Sequence, residues 1–428
     1  MNFLLLAIYI SLYYIRPFEW VVGCIGAPLM LIAGMCAFIV IIFSVLSGKS
    51  INFFSGDVER MMLFFFIAIC LSHISHFYLA GLIKSFTVLQ PTLIGFFLIL
   101  TSINNKKQLQ RFILLLIILT SFLAYEGILQ YTTGFAHGGM APHYEANYSL
   151  DGGAGRIARI RWYGVLNDPN DLGMLFVIVI PFLIDMAMRR HLLIPLTCLP
   201  PIITALYYTN SRGSILAAMV SIGGYFVLRY RSVRGSIYGI VLAIAVFTLV
   251  SGRMKGISAE EASAHGRIDS WYAGYQMFKT NPLFGVGQGL FTDFNEITAH
   301  NSYVLVMAET GFLGLFFFIG LIYYPLYWLY VSFLKAKEKR YTTDDQGLIS
   351  AVYGSLLGVL VSMFFLSRSY VLVPSMLISL SVVVSRIIKP EYEIGGSGVT
   401  IAPNHMKNIF LITLSQVIFI FILVKIAI

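Results

Sequence analysis

The sequence predicts an all-α polytopic membrane protein of about twelve to thirteen transmembrane helices. Its long outer loop is expected to contain short amphipathic helices. Three observations carry this. Hydrophobic residues make up 58% of the 428 positions and charged residues 11%, with a mean hydropathy of +0.82, where soluble domains carry about a quarter charged residues. Apolar runs of spanning length recur from end to end, and the basic residues fall on alternate connections between them.

Crossing the hydrocarbon core takes roughly 20 apolar residues. In order, the spans lie near 2–15, 21–46, 61–80, 86–101, 109–130, 171–188, 192–208, 212–228, 236–251, 302–334, 347–366, 370–387 and 409–427. The first is short, and the tenth is long enough to be kinked or to begin outside the bilayer. The last follows the Gly-rich stretch Gly395–Gly398 and has the weakest claim to pack with the others. The chain 1–428 reads as one integral membrane domain, and no cationic leader or cleavage site opens it, so the first run stays as an anchor.

Orientation follows from lysine and arginine, which accumulate in cytoplasmic loops. With the amino terminus inside, those loops collect 17 of the 29 basic residues, from Lys49 and Arg60 to Lys389 and Lys407. The short outer segments hold only Arg16, Lys84, Arg212, Arg368 and Lys425. Two long outer loops, 131–170 and 252–301, hold the remaining seven, and 388–408 becomes a cytoplasmic linker before the last helix. This placement accounts for the net charge of +9 without a nucleic-acid partner. Cys24, Cys36, Cys70 and Cys198 all lie in apolar runs and read as small buried hydrophobes, neither disulfides nor metal ligands.

A transmembrane helix hides its backbone, so irregular polar sequence collects outside. The stretch from His265 to Gly314 is such a place. Ser258 and Glu261 have capping-box spacing, and Ile268, Trp271, Tyr272, Tyr275 and Phe278 recur at helical spacing, with Arg267 and Asp269 off the stripe. That helix is expected to lie on the bilayer with its aromatic face down and to end before Pro282. Gly285, Gly287 and Gly289 then turn the chain, and His300 sits at the mouth of the tenth span. The first loop ends in RIARIRWYGVLNDPNDLG, where Arg156, Arg159 and Arg161 crowd together and Asn167–Asn170 form a turn before a helix. Arg212 opens a helix whose amino-terminal end faces outward, a setting suited to anions.

Each of these has a plainer reading. The arginines can rest against headgroups, and His300 can cap a helix. His73 and His76, three apart, lack a further metal ligand and read as core. Asp185 pairs with Arg189 four residues on, and Glu126 suits either function or a hydrogen bond to a neighbouring helix. The three glycines follow no strand, which excludes a dinucleotide fingerprint, and no Walker motif, zinc signature or nucleophile elbow appears.

Arg161, Arg212, Arg267 and His300 thus come from separate stretches but from one side of the membrane. Arginine forks grip phosphate oxygens bidentately, and a histidine of near-neutral pKa can take a proton from an attacking hydroxyl. Together they suit a reaction in which a membrane-held diphosphate leaves while an alcohol attacks, the arginines stabilising the developing charge.

The succession Arg161-Trp-Tyr-Gly, Asn167-Asp-Pro-Asn170, Asn210-Ser-Arg212-Gly, Gly266-Arg267 with Trp271, Asn281-Pro-Leu-Phe-Gly-Val-Gly-Gln-Gly289 and His300-Asn-Ser-Tyr with Glu309-Thr-Gly resembles the O-antigen ligase and O-antigen polymerase superfamily. The motifs cover about residues 155 to 320, and the span layout covers the whole chain; the additional last span departs from the family's pattern. The resemblance implies a bacterial inner-membrane enzyme with its active site facing the periplasm. It implies glycan transfer from undecaprenyl diphosphate to a hydroxyl of lipid A–core or of a growing polysaccharide, with inversion and without metal or cofactor. It further implies His300 as catalytic base and Arg212, Arg267 and Arg161 as diphosphate-binding residues. Ligase and polymerase share the donor and differ in acceptor; the compact length leans towards ligase. A flippase for lipid-linked glycan is the alternative of another class, disfavoured because neither internal repeats nor paired broken helices appear.

The basic asymmetry places 252–301 outside. A cysteine introduced at Ser263 is expected to react with a membrane-impermeant maleimide in intact spheroplasts. Labelling only after lysis reverses the topology.

Overall fold

The computed structural model describes residues 2–46, 56–148, 154–230, 237, 241, 258–336, 342–388 and 403–427. Helices account for twelve of the thirteen expected spans; the ninth, 236–251, lies outside the described residues apart from 237 and 241. They are α1 (Asn2–Ile15), α2 (Leu29–Leu46), α3 (Asp57–Ile74), α4 (Leu79–Ser102), α5 (Lys106–Thr133), α6 (Pro169–Met188), α7 (Leu193–Tyr208) and α8 (Arg212–Tyr230). After the outer helix α9 (Ser258–Thr280) come α10 (Ser302–Ala336), α11 (Thr343–Phe364), α12 (Leu372–Ile387) and α13 (Pro403–Ala427). Seven helices among the described residues are long and apolar enough to cross a membrane. The chain is an all-α, multi-pass membrane protein.

Ion pairs and capping bonds divide the bundle into two ends. At one, Lys106 meets Asp345 (2.8 Å), Arg229 donates to the Thr343 carbonyl (2.8 Å), and Arg386 pairs with buried Glu59. Arg189 pairs with Asp185 as its spacing predicts and donates to the Asp344 carbonyl. These contacts gather the starts of α3, α5 and α11 with the ends of α6, α8 and α12, all placed in the cytoplasm by the basic residues. The opposite end collects the starts of α6, α8, α10 and α12.

Close approach at the centre depends on small residues, which let helix backbones meet where lipid supplies no hydrophobic drive. A Cβ on Gly354 of α11 would lie 2.5 Å from the Ser221 carbonyl of α8, and one on Gly358 would lie 2.6 Å from Val177 of α6. Ser355 donates across to the Ile178 carbonyl (2.7 Å). Helix α6 is accordingly the most enclosed of the long spans, with 83% of its apolar window buried, against 22% for α13.

Several boundaries differ from the sequence reading. The second span begins at Leu29, not 21: Pro17–Trp20 forms one helical turn and the chain reverses at Gly23 and Gly26, both at positive φ. The first outer loop contains a β-hairpin, His143–Tyr148 antiparallel to Ala154–Arg159 with His143 opposite Arg159. The alternation in GRIAR, which crowds charge along the sequence, suits a two-faced strand. The linker 388–408 is shortened because α13 starts at Pro403. That helix packs against α10 and α9: His405 lies beside Tyr327, Phe410 beside Phe312, and Phe421 beside Tyr275. It therefore runs antiparallel to α10, and its carboxyl end finishes beside α9.

Helix α9 starts at Ser258 and stops before Asn281, as expected. Its aromatic face, however, rests on protein: Trp271 packs on Phe364 (5.5 Å between ring centres) and Tyr275 on Phe421 (5.4 Å). Only Tyr272 of that stripe is largely exposed. The glycine stretch that follows docks backbone to backbone into α10. Val286 and Gly287 donate to the carbonyls of Ala308 and Glu309 (3.0 and 2.9 Å), while Phe312 donates to that of Pro282 (2.8 Å). Gly285 has φ +72°, and a Cβ there would fall 2.3 Å from the Glu309 carbonyl carbon, where nothing can yield.

Gly289 also has positive φ but open space around it. Gly289→Ala is expected to cost about 1–2 kcal/mol from backbone strain alone. Gly285→Ala adds a backbone clash and should lower the thermal unfolding midpoint in detergent markedly further. Equal midpoints for the two variants refute this seam.

Candidate functional site

The outer ends of α6, α8 and α10 meet the hairpin and α9, and most candidate residues converge there. Asp168 caps α6, accepting from the backbone and side-chain N–H of Asn170 (2.7 and 2.8 Å), with Pro169 at the first helical position. Ser211 caps α8 by accepting from Ser214 N–H (3.1 Å), which leaves Arg212 in its exposed first turn. Ser214 also donates to the Asn170 carbonyl (3.4 Å), and Gly213 lies against Phe365. The loop between α7 and α8 turns at Asn210, whose φ of +48° suits asparagine better than most residues.

His300 lies in the turn entering α10 at φ +46°. The residues on either side hold that turn. Trp271 Nε1 donates to the Ala299 carbonyl (2.9 Å), and Asn301 Oδ1 caps α10 by accepting from Tyr303 and Val304 N–H (2.9 and 3.2 Å). The half-buried ring itself makes no hydrogen bond among the described residues. Burial lowers its pKa below the ordinary value of 6.5, Arg267 and Arg368 lower it further, and Asp168 opposes them. The shift favours the neutral imidazole at neutral pH, with one basic nitrogen to offer.

Arg267, in α9, is likewise half-buried. Desolvation pushes its guanidinium down from the usual range, and so does Arg159, while Asp168 and Glu145 pull it back. It stays a cation at any physiological pH. Arg159 is fixed by three contacts: Nε to the Thr209 carbonyl (3.0 Å), Nη1 to Glu145 (2.8 Å) and Nη2 to Asn170 (3.2 Å). The rim thus holds a histidine and several arginines, balanced by Asp168, Asp171 and Glu145.

Arg161 is committed differently. Its Nε donates to the Ala141 carbonyl (3.0 Å) and its backbone N–H to Gln130 (2.8 Å), so it braces the first outer loop. Arg159 is the member of that cluster whose charge reaches Arg267. Sequence reasoning also passed over Arg368, which forks onto Asp171 (2.7 and 2.6 Å). Its position in a short outer segment was the available signal. Asp168 and Asp171 are occupied as cap and counter-ion, and among the described residues no three His, Cys, Asp or Glu side chains gather as a metal group.

The remaining candidates are structural. His76 donates to the Gly285 carbonyl (2.8 Å), and buried His73 lies 2.7 Å from Ser85, which donates to Gln288 (2.6 Å). Glu126, 1% exposed, accepts from the His137 backbone N–H (3.0 Å) and its ring Nδ1 (2.7 Å). Its partner is the outer loop, not a neighbouring helix.

Residues 197–319 match the family model described as O-antigen ligase. The matched segment holds Arg212, Arg267 and His300; Arg161 lies outside it. The match supports a place in the O-antigen ligase and polymerase superfamily and a function of that type. No curated protein matches the sequence.

Proposed function

We propose that the protein is a glycosyltransferase of the O-antigen ligase type in the bacterial inner membrane, working at its periplasmic face. One observation carries the reading: His300, its ring without a hydrogen-bond partner among the described residues and its pKa pushed down by burial and by the Arg267 cation, lies on the outer rim inside the family-matched segment. In this reading the His300 ring takes the proton from an acceptor hydroxyl, whose oxygen attacks the anomeric carbon of an undecaprenyl-diphosphate-linked glycan from the side opposite the leaving group. The carbon–oxygen bond to the diphosphate breaks with inversion. Arg267 and Arg212 hold the departing diphosphate, so the charge that develops is met by preplaced cations and no divalent cation is needed. Arg161 shapes the loop beside them and contributes to binding through that loop.

The acceptor is lipid A–core for a ligase and the growing glycan for a polymerase. Reconstitution with undecaprenyl-diphosphate oligosaccharide, offered lipid A–core or further donor, separates the two by product, and movement without bond cleavage supports a flippase instead.

As base, His300 is expected to contribute about 10²–10⁴ in rate. His300→Ala should lose that factor and still bind the lipid diphosphate. Because the folded environment lowers this histidine's pKa, kcat/KM should fall along an acid limb whose midpoint lies below 6.5. In His300→Gln that acid limb should vanish with the activity. An active glutamine variant with the wild-type limb removes the base.

Lysine keeps the charge of arginine but loses the fork. Arg267→Lys and Arg212→Lys are each expected to lose most turnover while still inserting and folding. Wild-type turnover in both leaves only generic attraction to anionic lipid.

A further inference from the structure

The connection between α11 and α12, residues 365–371, is stitched to the chain on both sides of His300. Thr298 Oγ1 donates to Ser367 Oγ (2.9 Å). Ser302 Oγ donates to the Leu366 carbonyl (2.6 Å) and accepts from the Arg368 backbone N–H (2.9 Å), and Ser369 Oγ donates to the Ser302 carbonyl (2.9 Å). The Arg368 side chain reaches the other way, with Nε on Asp171 Oδ1 (2.7 Å) and Nη2 on Oδ2 (2.6 Å). Asp171 is 1% exposed, in the first turn of α6, three residues beyond the cap Asp168. A buried carboxylate satisfied by a bidentate fork is a rigid anchor, since removing either partner leaves an uncompensated charge.

We propose that the Asp171–Arg368 pair is a positioning device for His300: it fixes the turn that presents the ring and sets the charge that the ring faces. The inference rests on the role proposed for His300. Three elements bring charge to the ring: Arg267 from α9, Asp168 from α6 and Arg368 from the α11–α12 connection. Asp171 stands behind Arg368, while Arg159 and Glu145 of the hairpin act on Arg267. Arg368 therefore works in two ways. Its backbone and its fork tie the His300 turn to α6, and its cation, partly offset by Asp171, disfavours a second positive charge on the imidazole. Lysine at 368 keeps the second effect and loses the geometry of the first. Asparagine at 171 frees the cation from its counter-charge.

The test uses full-length protein in nanodiscs with ring-labelled histidine, the His300 resonance being the one of eight lost in His300→Gln. The pH profile of kcat/KM is measured in parallel. Arg368→Gln should raise the His300 titration by about half a unit or more, the size of a nearby charge partly screened. Asp171→Asn should move it the opposite way, Arg368→Lys should leave it near wild type at reduced turnover, and Arg368→Gln with Asp171→Asn should return it towards wild type. Opposite shifts support the device; unmoved resonances, or shifts of the same sign in both single variants, overturn it. If Asp171→Asn does not fold, the contrast between Arg368→Gln and Arg368→Lys decides alone: a shift in the first only supports the proposal, and equal titrations overturn it. Resonances that shift as expected while the rate profile ignores them support the pair's hold on His300 and overturn the reading of His300 as base.

Discussion

Helix ends set the terms for the outer rim. The first turn of every helix leaves backbone N–H groups without partners, and inside a bilayer-sized bundle water cannot be relied on to meet them. Helices α6, α8 and α10 all begin on this rim, so three sets of such groups and three positive dipole ends gather within one region. Asp168, Ser211 and Asn301 cap them. Two of these caps are uncharged, and the carboxylate of the third is shared among its own helix start, Arg267 and His300. The helix caps on this rim therefore bring one carboxylate among its arginines.

The same capping places His300. Asn301 caps the first turn of α10, and the residue before it, His300, lies outside the helix in a left-handed conformation. Trp271 holds the preceding carbonyl, so the ring leaves the backbone at a defined point between α9 and the α11–α12 connection. Further down α10 the glycine stretch docks into the break at Gly311 by main-chain bonds, and Glu309 accepts from Phe291 N–H beside it. Such a joint tolerates no side chain at Gly285 and gives the loop carrying α9 a rigid foot. The aromatic face of α9 is spent on Phe364 and Phe421, so α13 packs against the outer helix instead of standing apart.

Burial and charge oppose each other at His300 and Arg267. Desolvation disfavours the charged form of both groups. Arginine keeps its proton regardless, because its intrinsic pKa lies so far above neutrality. Histidine has no such margin, and the cations around it add to desolvation, so one environment favours a permanent cation and a neutral imidazole side by side. The proposed chemistry calls for that division of labour.

Sequence by itself determined the membrane class, the order of spans and most of the residues on the rim. Apolar run length and lysine and arginine placement are local properties, so α5, α6 and α10 could be read within a few residues. The start at Asp168-Pro169 and the turns at Gly285 and Gly289 could be read from residue chemistry alone. Only the tertiary structure decided which of three crowded arginines face the site: Arg159 and Arg161 differ by two residues, and strand register and a carbonyl at Ala141 separate their fates. It alone assigned Glu126 to His137, turned the aromatic face of α9 onto protein, and joined Arg368 to Asp171 across 197 residues of chain. Those partners are chosen by packing between distant segments, and no local pattern in either segment records the other.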